Sequence, residues 1–195
     1  IVGSPGRVGG GSGMWSRRTQ QRQESEVREL FAGLSVWERG GQRAPHKPLL
    51  ILLELGRLQR GESARVHYSD IRGDLSRLIR HFGKPSQRYH PEYPFWYLKS
   101  DGVWSVGSPA ALGLGAGGRT PTNRDLLDAE VTGGFKPSVR AALRRSPALV
   151  SEVAASLLES HFPASMHGEI LAEVGLQLEP THVHRQPGPR DPKFR

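Results

Sequence analysis

The run LLILLELGRL, Leu49 to Leu58, constrains the fold of this chain more than any other segment. It is apolar nearly all round, and a helix without a polar face has to be buried, so other elements must pack around it. Pro48 suits the first turn of this central helix, where its missing N–H costs no hydrogen bond, and Gly61 is placed to end it. An earlier helix is expected to begin near Ser25, where Val27, Leu30, Phe31 and Leu34 recur at helical spacing, and to stop at Gly40-Gly41. A later one runs through Leu75, Leu78, Ile79 and Phe82, capped by Ser69 or Asp70 and preceded by a short strand over Arg65 to Tyr68. Further helical patterns cover Leu126 and Leu127 behind a Thr122 or Asn123 cap, then Val139 to Leu143, Pro147 to His161 and Ser165 to Val174.

Between these helices lies YHPEYPFWYLKSDGVW, Tyr89 to Trp104, with three Tyr, two Trp, one Phe and two Pro in one stretch. Phe95 to Leu98 and Val103 to Val106 flank the turn signal Asp101-Gly102, which predicts a β-hairpin. Alternation buries one face of a strand, so Trp96 and Trp104 are assigned to the core, whereas Tyr93 and Pro94 precede the hairpin in a loop that can expose them. The fold class that results is mainly α (α+β), a helical domain with a small β-hairpin and a winged-helix-like N-terminal half. A Gly-rich loop follows from Gly107 to Thr122, and VTGGF is read as another break. Residues 1–20 read as a disordered leader, 21–178 as the folded domain and 179–195, basic and Pro-rich, as a linker. Met14 is a candidate native start.

Charge narrows the partner. The chain carries 27 Lys+Arg against 19 Asp+Glu, a formal net charge of +8, so its field attracts phosphate backbones. No apolar run approaches the roughly 20 residues needed to span a bilayer, and the Gly- and Arg-rich start lacks a signal peptide's apolar core. A cytoplasmic protein is the expectation. The absence of cysteine excludes disulfides, thiolate zinc fingers and Cys nucleophiles.

Catalytic constellations fail one by one. His90 and Glu92 form the H-x-E half of a zinc deaminase signature, but its P-C-x-x-C half needs cysteine. His161, His167 and Glu169 straddle Pro163 and lack the i, i+4 geometry of H-E-x-x-H. Asp101 is explained by its turn, and GLGAGG lacks the Lys-Ser/Thr of a P-loop. No catalytic residue, metal ligand or cofactor is expected. Two segments remain as binding candidates. In Arg43 to Pro48, His46 and Lys47 stand at the start of the central helix, where free N–H groups already favour an anion. The other is the aromatic segment.

At these segments the chain resembles a family. APHKPLLILLELGRLQRGE, HPEYPFWYLKSDGVW, VTGGF and HFPASMHGEIL, in this order, look like the DNA sulfur-binding domain of McrA-like, phosphorothioate-dependent HNH restriction endonucleases, over roughly Glu26 to Leu176. The resemblance implies a module that binds double-stranded DNA in which sulfur replaces a non-bridging phosphate oxygen. A separate HNH domain cuts, and RDPKFR resembles the approach to it, so this chain would be the reader without the cutter. It further implies that Tyr93 and Pro94 line a sulfur pocket with Tyr97 nearby, although one branch of the family carries a small residue at the Tyr97 position. The pocket-edge cation maps to the HKP segment, Lys47 with His46 beside it. Arg43, Lys84, Arg88, His90 and Arg119 are the candidate phosphate or base contacts. A general winged-helix-like DNA binder and a degenerate nuclease using His90, Glu92, Asp101 or His161 are the competing readings.

Overall fold

The computed structural model describes residues 12–35, 38–39, 42–43, 45–83, 85, 88–108, 113 and 119–179. The central helix forms as expected: α2 spans His46–Gln59, with Pro48 in its first turn. Leu49, Leu50, Ile51, Leu52 and Leu55 are wholly buried, and α2 packs against α3 (Tyr68–Phe82), α4 (Glu92–Tyr97), α6 (Pro137–Arg145), α7 (Pro147–His161) and α8 (Ala164–Val174). A helix with apolar residues on every side is thus wrapped by helices on every side. α5, Asn123–Asp128, carries the predicted cap as a full capping box: Thr122 accepts from the Asp125 N–H while Asp125 accepts from the Thr122 N–H.

The first helix departs from expectation at both ends. α1 runs Ser12–Ala32, so the chain is helical well before Ser25, inside the stretch read as a leader, and stops short of Gly40-Gly41. Its last turns are anchored through buried Val27 and Phe31; exposed residues further back carry i, i+4 pairs such as Gln20–Glu24 and Arg22–Glu26. Beyond it, β1 (Glu38–Arg39) pairs antiparallel with β2 (Gln42–Arg43). The start of the leader and nearly all of the proposed linker lie outside the described residues.

A second correction concerns the hairpin. Glu92–Tyr97 is a helix, and Leu98–Asp101 continues it as a 3-10 turn. Pro91 and Pro94 occupy the N-cap and first turn, positions whose N–H groups have no helical partner, so both prolines are compatible with the helix. Gly102, at φ 80, ends the 3-10 turn in the left-handed region rather than turning a hairpin. The sheet instead pairs distant segments: β3 (Val66–His67), β5 (Thr132–Phe135) and β4 (Trp104–Gly107) lie in the order β3-β5-β4, all antiparallel.

The VTGGF motif, read as a break, supplies the central strand. A Cβ on Gly133 would stand 2.5 Å from Trp104 Cζ2 and 2.6 Å from Phe95 Cζ, and one on Gly134 2.1 Å from the Ala64 carbonyl oxygen. Glycine is required there because the aromatic core and a neighbouring backbone approach the strand directly. Trp96 and Trp104 are in the core, as predicted, and Trp104 packs edge-to-face on Phe95 and Phe135. His67, not Ser69 or Asp70, occupies the N-cap of α3, without a side-chain cap bond; the Tyr68 N–H donates to the Val131 carbonyl instead.

From His46 to Phe135 the order is helix, strand, helix, helix with its 3-10 extension, strand, short helix, strand, with the last strand central in the sheet. This is a winged-helix arrangement in a mainly α chain. It places α4, the helix before β4, where a recognition helix stands, while the connection from β4 to β5 carries α5.

Candidate nucleic-acid interface

Helix α4 sorts its aromatic residues by face. Phe95 and Trp96 point into the core, while Tyr93 and Tyr97, four residues apart and therefore neighbours on one face, are 43% and 42% exposed. Their rings meet edge-on at 6.4 Å. Pro94, expected in an exposed loop, is buried in the first turn. The Tyr97 hydroxyl is hydrogen-bonded to Thr120 Oγ1, which ties α4 to the returning end of the β4–β5 connection. The outcome is a pair of large, half-exposed apolar rings held by a buried helix face.

Around this shelf the structure gathers several of the predicted residues. The His90 ring lies flat on Tyr93, with centroids 4.6 Å apart and planes within 8°. Its Nδ1 is 2.8 Å from Glu92 Oε1, a carboxylate that is itself buried. His46, first residue of α2, is half-buried; burial and, next, the charge of nearby His90 lower its pKa. Two cations lie over neighbouring rings: Arg80 over Tyr89, and Lys99 Nζ 3.3 Å from the centre of the Trp96 ring. Burial lowers the Lys99 pKa.

Other predicted residues are engaged or lie apart. Lys47 donates to Asp101 Oδ2 at 2.6 Å and to the Ser35 carbonyl at 2.8 Å. Arg119 donates to Asp125 Oδ2 at 2.8 Å, at the foot of α5. Arg88 is exposed, the backbone of Arg43 lies in β2, and Lys84 falls outside the described residues. The carboxylates of the nuclease reading are dispersed: Glu92 holds His90 and Asp101 holds Lys47. Among the described residues no group of three or more His, Asp or Glu side chains gathers to hold a metal, and no helix is long and apolar enough to cross a membrane.

Sequence reasoning missed Glu92 as a partner of His90, Thr120 as a partner of Tyr97, and Asp101 as the counter-ion of Lys47. The first had a local signal, a carboxylate two residues from a histidine. The others are set by folding: Asp101 lies 54 residues from Lys47 along the chain.

An exposed aromatic shelf on the recognition-position helix of a winged-helix unit, in a chain of net charge +8, defines a nucleic-acid-binding module. The sequence matches the ScoMcrA-like DNA sulfur-binding domain over residues 24–179, and the chain belongs to that family. Among solved structures it is similar to the sulfur-binding domain of ScoMcrA complexed with phosphorothioated DNA, at 25% identity and a TM-score of 0.65, covering 76% of this chain and 94% of that one. The sulfur-binding domain of SprMcrA complexed with phosphorothioated DNA shares the fold, at 22% identity and a TM-score of 0.66, covering 80% of this chain and 96% of that one. So does the type IV phosphorothioation-dependent restriction endonuclease ScoMcrA, at 24% identity and a TM-score of 0.61, covering 76% of this chain and 32% of that one. A comparison with curated protein sequences gives no match.

Proposed function

We propose that this chain binds phosphorothioate-modified duplex DNA, with the backbone sulfur held against the apolar edges of Tyr93, Pro94 and Tyr97 and with His46 and Lys47 at the rim. The observation that carries the reading is the exposed Tyr93–Tyr97 pair on the recognition-position helix of a chain whose family is that of DNA sulfur-binding domains. The ScoMcrA domain, solved with phosphorothioated DNA, is the relative that supports it. Sulfur keeps the phosphate anionic but is larger, more polarizable and a poorer hydrogen-bond acceptor than oxygen. An oxygen placed against apolar edges loses water without replacement, at about 1 to 3 kcal/mol, roughly ten- to a hundredfold in affinity. Soft sulfur loses less.

Arg43, Lys84, Arg88, His90 and Arg119 are the proposed contacts to other phosphates and to bases, which supply most of the affinity without the sulfur preference. In the whole protein the module would direct a modification-dependent HNH nuclease domain to its DNA in the cytoplasm; the module itself would need no cofactor and cut nothing. The test compares one duplex with and without a single sulfur at matched salt. Tighter binding of the sulfur duplex is expected, and equal dissociation constants would leave a general winged-helix DNA binder. Incubation of modified plasmid with Mg²⁺ or Mn²⁺ is expected to leave it intact; nicking abolished by an acidic-residue mutation would overturn the non-catalytic part.

A further inference from the structure

The geometry points to Glu92 as a positioning residue that turns His90 into a proton-linked phosphate donor, so that DNA binding takes up a proton at His90. This inference rests on the proposed function. Glu92 is a carboxylate only 6% exposed on a surface read as meeting a polyanion, and a buried carboxylate there opposes binding unless it acts through another group. It has such a group in His90 Nδ1, 2.8 Å away.

As a carboxylate Glu92 only accepts, so Nδ1 carries a hydrogen and points inward. Stacking on Tyr93 at 4.6 Å and 8° fixes the ring plane. Nε2 is then the ring nitrogen left without a hydrogen bond among the described residues, on a side chain that is 39% exposed. In the neutral ring Nε2 bears a lone pair and repels a phosphate oxygen; it donates only after taking a proton from solvent. Chain, DNA and one proton go in, and a complex with an imidazolium between the Glu92 carboxylate and the phosphate comes out. No other group needs to change.

The charged and titratable groups around His90 support this assignment. Glu92 is on its own segment, and the Tyr68 hydroxyl from α3 interacts electrostatically with Glu92. His46 faces it from α2, with Lys47 beside His46 held by Asp101. His46 is pushed toward its neutral form by burial and, next, by the nearby His90. Arg88 precedes it in the chain.

The experiment measures affinity for the sulfur duplex between about pH 5.5 and 8.5, the range in which imidazoles titrate, at constant salt. The wild-type chain is expected to lose affinity as pH rises, approaching about tenfold per pH unit for a single linked proton. His90→Gln is expected to flatten the profile, whereas His46→Gln keeps it. Glu92→Gln removes the charge that favours imidazolium and is expected to move the decline to lower pH by about one unit, a loss of roughly tenfold in mid-range. Calorimetry of the wild-type chain in two buffers of different ionisation enthalpy, which needs no variant to fold, should give an uptake of about one proton per complex. A wild-type uptake near zero overturns the inference, as does a profile flattened by His46→Gln rather than His90→Gln; a Glu92→Gln profile equal to wild type removes Glu92 from it. A missing sulfur preference at fixed pH is a separate result and defeats the proposed function instead.

Discussion

Lys47 Nζ lies 2.6 Å from Asp101 Oδ2, and the Asp101 side chain is 1% exposed. The same carboxylate accepts from the Ser35 N–H at 2.8 Å while Lys47 also donates to the Ser35 carbonyl, so three remote segments close on one ion pair. The cation that the HKP motif offers to DNA therefore already has a counter-ion. Its role in binding depends on how far Asp101 lets it go.

Asp101→Asn is expected to raise affinity for modified and unmodified duplexes alike. Releasing one neutralised cation beside the proposed DNA path should steepen the dependence of log affinity on log salt by up to about 0.9. Lys47→Met leaves the buried Asp101 unpaired and should cost about 3 kcal/mol of stability. Salt titrations read the first effect and urea unfolding the second; an unchanged salt slope in Asp101→Asn would place Lys47 away from the DNA.

Tyr93→Ala and Pro94→Ala are expected to reduce the ratio of sulfur to oxygen affinity by about tenfold, because they remove apolar edges that penalise oxygen. Tyr93 is exposed and its loss should be tolerated by the fold, whereas Pro94 is buried in the first turn of α4. Each ratio is measured on protein that unfolds cooperatively. A wild-type ratio in both variants would move the pocket elsewhere.

Gly133→Ala and Gly134→Ala should each destabilise by about 1 to 3 kcal/mol or more, since their methyls meet Trp104 and Phe95, or the Ala64 carbonyl, inside 3 Å. Gly73→Ala, at a helical site with open space, should be neutral or stabilising. Thermal unfolding of the three variants checks the contrast.

Stability should fall between about pH 4.5 and 7 through one buried group. Glu54 is wholly inside, and burial pushes its pKa up to about 7 against 4.5 for an ordinary glutamate, with Arg57 and Arg140 pulling only partly back. The folded state then holds a proton that the unfolded chain has released, so this contribution is complete below the unfolded value and is lost as pH rises through the folded one. The pH-dependent difference between wild type and Glu54→Gln should approach about 3 kcal/mol across that window. Parallel stability curves for the two proteins would show that Glu54 stays ionised when folded.

The apolar run Leu49–Leu58 determined the centre of the fold, because a helix with no polar face has only one place to be. Periodicity likewise made α3, α6, α7 and α8 legible, periodicity with the Thr122 cap made α5 legible, and a resemblance carried by ordered motifs made the family legible. The β-hairpin was misread because aromatic residues and an Asp-Gly pair are strand and turn signals only when nothing else uses them. Here a buried aromatic core pulled Phe95 and Trp96 inward at helical spacing, leaving Tyr93 and Tyr97 outside. VTGGF could not be recognised as the central strand, since glycine lowers strand propensity and the reason for it, the approach of Trp104, Phe95 and Ala64, exists only after folding. The partners of the site residues belong to the same class: Asp101 for Lys47 and Thr120 for Tyr97 are contacts across the chain. Local sequence sets which face of an element is apolar; which polar groups end up neutralising one another is decided only when packed elements bring remote residues within reach.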